Sequence, residues 1–71
     1  MTKYAVILEK GERNWGAYVP DLPGCIATGK TPAIVEQRIR EAIESHIEFL
    51  RAEGDAVPEP TTRALEVAVA S

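Results

Sequence analysis

The sequence holds one cysteine and one histidine. A single Cys excludes an intramolecular disulfide, and one Cys with one His lacks the clustered ligands of a zinc site, so no metal is expected. Positive charge is also short. Eight Lys and Arg against eleven Asp and Glu leave a net charge of −3, and the basic residues are scattered among acids. Phosphate-backbone recognition needs a cationic surplus, so nucleic acid is excluded as the main direct partner, and a basic partner fits better. No apolar run approaches the ~18 residues of a membrane-spanning helix. The first residues, through Leu8, lack the layout of a signal peptide, so a cytoplasmic location is expected. Asn14 and Gln37 are the only side-chain amides, which points weakly to a thermophilic source.

What is present is an ordinary globular composition. In 71 residues, 45% are hydrophobic and 27% charged, enough for one small domain over residues 1–71 and no more. Tyr4–Lys10 is rich in β-branched and aromatic residues and predicts a strand. Trp15–Val19 predicts a second, joined to the first by the polar turn Gly11–Asn14. Pro20-Asp21-Leu22-Pro23-Gly24 cannot lie mid-strand, and Pro23-Gly24 suits the centre of a type II turn. Cys25–Thr28 predicts a third strand.

Thr31-Pro32 is a helix start, with Thr as cap and Pro at the first helical position. Val35, Ile39, Ala42, Ile43, His46, Ile47 and Leu50 recur at spacings of three and four, the apolar stripe of a helix ending near Glu53. Gly54 is placed to close that helix. Val57–Pro60 forms a stiff linker, and the alternation of Arg63–Val69 predicts a last strand. The expected fold is α+β in the order β-β-β-α-β: an antiparallel three-stranded meander, one long helix and a final strand.

If Lys10 lies opposite Trp15, then Leu8 faces Ala17 and Ile7 faces Tyr18. Tyr4, Val6, Leu8, Trp15, Ala17 and Val19 then share a face and pack on the helix, together with Leu65, Val67 and Val69 of the last strand. Ala5, Ile7, Glu9, Gly16 and Tyr18 share the opposite face, which nothing in the chain covers. Ile7 and Tyr18 are therefore the candidate partner or self-association face, because Tyr offers apolar area with a polar tip.

Three chemical motifs weigh less. Gly24–Thr31 matches G-x-x-x-x-G-K-[ST] letter for letter, but a phosphate loop needs a strand before it and a loop through residues 25–28, where this sequence predicts a strand. Lys30 beside a helix start can still hold a stray anion. Cys25 and His46 could form a nucleophile–base pair, but no third orienting group is evident, and each residue also suits a packed core position. Glu41, Glu44 and Glu48 lie on a solvated helix face. No catalytic residue and no cofactor are assigned.

An ordered set of landmarks carries a family resemblance: Tyr4-x-Val6, Gly16 with Tyr18 and Val19, Pro20-Asp21-Leu22-Pro23-Gly24-Cys25, Thr28-Gly29-x-Thr31, Ile39–Ile43 with His46-Ile47, and Gly54 followed by Pro58-Glu59-Pro60. On these the chain resembles the HicB-like antitoxins of bacterial toxin–antitoxin systems, in a short single-domain form. It departs from their pattern at Ala33, Ile34 and Val35, where the family often has acidic residues and Ala. The resemblance implies a partial ribonuclease-H-like fold without nuclease activity. It also implies a non-enzymatic role: binding a small basic HicA-type toxin that cuts messenger RNA and occluding its active site. Many relatives carry a C-terminal DNA-binding domain, and none is expected here, since the residues to Ser71 contain no helix-turn-helix. Pro20, Asp21, Leu22, Pro23, Gly24, Cys25, Thr31 and Gly54 are expected to be structural. A core this small favours a homodimer or tetramer. The alternative is an orphan self-associating interaction domain with no catalytic activity.

Overall fold

The computed structural model describes residues 2–71. Its elements are β1 (Ile7–Lys10), β2 (Trp15–Tyr18), β3 (Ile26–Gly29) and α1 (Pro32–Ala52). The strands form one antiparallel sheet in the order β1-β2-β3. The α+β class and the meander match the expectation. So does the hairpin register, with Ile7 opposite Tyr18, Leu8 opposite Ala17 and Lys10 opposite Trp15. The Gly11–Asn14 turn is closed by a 2.7 Å bond from the Gly11 N–H to the Asn14 carbonyl.

The strands are shorter or shifted relative to the sequence pattern, for identifiable reasons. β1 begins at Ile7 rather than Tyr4. The Val19 N–H points toward β3 and donates to the Cys25 carbonyl, so by alternation the next N–H would point toward β1. That residue is Pro20, which has none, and the ladder stops. β3 runs Ile26–Gly29, one residue later than Cys25–Thr28, because Cys25 is spent closing the preceding turn, its N–H donating to the Leu22 carbonyl.

The helix follows its local signals closely. The Thr31 hydroxyl accepts the Ile34 N–H at 3.2 Å, and Pro32 opens the first turn. At the other end the Asp55 N–H bonds the Leu50 carbonyl and the Gly54 N–H bonds the Arg51 carbonyl, with Gly54 at φ +74°. That pairing is the Schellman arrangement, which needs a residue tolerant of positive φ. The first-turn residues Ala33, Ile34 and Val35 place no acid near the helix start, and Val35 is fully buried.

The core lies between the helix and one sheet face. Ala17, Val19, Leu22, Cys25, Val35 and Ile39 are buried, with Tyr4, Val6, Trp15, Ala27, Ala42 and Ile43 packed around them. At Gly29 strand and helix lie close together: a Cβ there would sit 2.8 Å from Ile34 Cγ2 and 3.0 Å from Val35 Cγ2. The helix packs chiefly on β3 and β2.

The expected last strand is not formed within the protomer. Residues 63–69 belong to no ladder, and Leu65, Val67 and Val69 are 84%, 69% and 77% exposed instead of packing on the helix. Alternation specifies which side chains share a face, but a strand also needs a partner edge, and this segment leaves the domain without one.

Candidate functional site

The face of the sheet turned away from the helix is built by alternation. Ala17 is buried toward the helix, so its neighbours Gly16 and Tyr18 project the other way. Ile7 and Ile26 lie on either side of Tyr18, one in each flanking strand. The three form an apolar row across the whole sheet. Ile7 is half-buried, while Tyr18 and Ile26 are 41% and 66% exposed. Ile26 was missed from sequence. Its signal was the third strand's register against Tyr18, which follows once Pro23-Gly24 is taken as the turn.

On the helix side, the edge strand β1 is left partly uncovered. Because α1 sits over β2 and β3, a groove of about 680 Å³ opens between β1 and the helix, lined by Tyr4, Val6, Leu8, Ile39 and Ile43, with Lys3, Glu36, Arg40 and Glu44 among the polar residues around it.

The Pro20–Cys25 segment performs a structural task with an unexpected extension. Leu22 is fully buried, Gly24 takes φ +84°, and the Leu22 N–H bonds the Val19 carbonyl to form a compact turn. Pro20 is half-buried and Pro23 exposed. Asp21 reaches across the chain. Its Oδ2 accepts the Thr61 and Thr62 N–H groups at 3.0 and 2.9 Å, and its Oδ1 accepts their hydroxyls at 3.1 and 2.8 Å. The backbone N–H of Thr62 leads in holding this carboxyl below its ordinary pKa, with the other three donors adding to it against a partial desolvation. Beside this clasp the Tyr4 hydroxyl donates to the Pro58 carbonyl at 2.6 Å. Residues 58–62 are thereby tied to Tyr4 and to the turn at Asp21, and the tail beyond them is displayed.

The enzyme-like motifs are not assembled. Residues 26–29 of the phosphate-loop string are β3, so they cannot wrap a phosphate. Cys25 is buried, and desolvation pushes its thiol pKa up, the opposite of what a nucleophile needs. It packs in one cluster with Val35 and Ile39, whereas His46 lies two turns further along the helix from Ile39, about 10 Å down the axis at ~1.5 Å per residue. Among the described residues no group of three or more His, Cys, Asp and Glu is placed to hold a metal, and no helix is long and apolar enough to cross a membrane.

The described residues thus define an α+β domain whose small antiparallel sheet is backed by one helix and bare on its other face. The family model for HicB-like antitoxins of bacterial toxin–antitoxin systems matches residues 4–70, and the chain belongs to that family. A UPF0150 protein of Thermoplasma acidophilum is 36% identical over 92% of this chain and 96% of its own length. A UPF0150 protein of Synechocystis is 45% identical over 78% of this chain and 71% of its own length. Among solved structures, a chain of a HicA3 and HicB3 toxin–antitoxin complex superposes with a TM-score of 0.72 at 33% identity, covering 84% of this chain and 70% of that one.

Proposed function

We propose that this protein neutralises a small HicA-type toxin by covering the toxin's active site with the bare sheet face, Ile7, Tyr18 and Ile26 forming the centre of the contact. The observation that carries the reading is the likeness, in fold and sequence, to a chain of a HicA3–HicB3 complex. The apolar row supports it, because a tyrosine beside exposed aliphatics has the make-up of an interface centre. The net charge of −3 supports it too: an RNA-cutting toxin carries a basic surface, and opposite potentials speed association. Inhibition in this scheme is steric, and the antitoxin contributes no catalytic group.

The test is RNA cleavage by a HicA-type toxin of the same genome, with and without the purified protein. Full protection at equimolar ratio is expected. Cleavage that continues at a several-fold excess of the protein overturns the reading.

A further inference from the structure

The chain carries two unsatisfied surfaces that match each other. One is the groove beside β1. β1 is an edge strand, so among the described residues its outer backbone groups have no ladder partner, and the helix-side residues Tyr4, Val6, Leu8 and Ile43, beside the buried Ile39, are only partly covered. The other is the tail, in which Leu65, Val67 and Val69 occupy alternate positions and stand largely exposed. Apolar side chains on one side of an extended segment are what a fourth strand would lay over such a groove.

The dimensions agree. β1 with the three residues before it, Tyr4–Val6, offers a run equal in number to residues 63–69, and each run would span about 23 Å if fully extended at ~3.3 Å per residue. Pairing along that edge would turn Leu65, Val67 and Val69 toward Ile39 and Ile43 and leave Glu66 in water. The polar residues at the groove, Lys3, Arg40, Glu36 and Glu44, are of both signs, so Arg63 and Glu66 meet no one-sided repulsion. The clasp at Asp21 and the bond from Tyr4 to Pro58 hold the base of the tail and project it as an arm clear of its own groove.

We infer that the occupant of the groove is the tail of a second copy, exchanged reciprocally. Both halves of the contact are on one chain at different places, so exchange about a two-fold axis fills both grooves, pairs both β1 edges and closes on itself as a dimer. The bare face with Ile7, Tyr18 and Ile26 lies on the other side of the sheet and is left free.

The experiment is mass in solution by light scattering, with circular dichroism to confirm folding. The wild-type chain is expected to have the mass of a dimer. Val67→Asp and, separately, Leu65→Asp are expected to halve that mass with an unchanged spectrum, since these exposed side chains hold nothing together in the protomer. In a Leu8→Cys, Val67→Cys variant, a short bis-maleimide is expected to join two chains, and neither single variant should cross-link in this way. A monomeric wild type, a dimer indifferent to both tail variants, or a link formed within one chain overturns the inference. Self-exchange needs no toxin, so Val67→Asp is also expected to keep its RNA protection. Loss of protection with a monomeric wild type would assign the tail to the toxin contact instead and overturn it as well.

Discussion

Asp21 ties two parts of the chain that lie forty residues apart, accepting four hydrogen bonds from Thr61 and Thr62. Each of these favours the ionised carboxylate, so its pKa in the folded protein is below its value in the unfolded chain. The stabilisation is therefore fully present above the unfolded value near ~4 and is lost as pH falls through the lower folded value. Hydrogen exchange should show the Thr61 and Thr62 amides protected at neutral pH and released in acid. Asp21→Ala should release them at every pH, because it removes both acceptor oxygens, whereas Asp21→Asn, whose carbonyl oxygen can still accept both amides, should keep the protection and lose its pH dependence. Gly29 answers to sterics instead. Gly29→Ala forces Ile34 and Val35 to shift, and a β-branched pair in a helix has little rotamer freedom with which to do so. A loss of roughly 1–3 kcal/mol is expected in denaturant unfolding, typical of an overpacked contact.

At the scale of elements, the helix is the part most plainly written in the sequence. Thr31 and Pro32 begin it, Gly54 ends it, and the three-and-four spacing of Val35, Ile39, Ala42 and Ile43 selects its buried side. Thr31→Ala removes the acceptor of the Ile34 N–H and should cost about 1 kcal/mol in thermal or denaturant unfolding, whereas Thr31→Ser should cost much less. The hairpin was equally legible, because turn length and alternation together admit one register that buries Ala17. Strand ends were less so. The halt of β1 at Ile7 depends on which side of β2 the missing Pro20 donor would have faced, a property of the assembled sheet.

At the scale of the whole molecule, the two sides of the sheet have separate tasks. The helix side builds the core and leaves the groove, and the bare side is the proposed toxin contact. Tyr18→Asp and Ile26→Asp both place a charge in the middle of the proposed toxin contact while disturbing exposed positions only. Each is expected to weaken toxin binding by at least tenfold in calorimetric titration, since desolvating an unpaired carboxylate opposes an apolar contact. The same variants should retain their fold and their self-association. A variant that binds toxin normally would remove the bare face from the interface.

The sequence by itself determined the class of the domain, the limits of the helix, the hairpin register and which hairpin residues share a face. All of these rest on interactions over a few residues: caps, turns, and periods of two or 3.6. Only the tertiary structure decided that Asp21 meets Thr61 and Thr62, that Ile26 joins Ile7 and Tyr18 in one row, and that residues 63–69 stand away from their own sheet. Those outcomes depend on which distant groups are brought within reach. The alternation of Leu65, Val67 and Val69 is the same whether that segment pairs or not. Pairing is decided by an edge elsewhere in space, not by the neighbours in the chain.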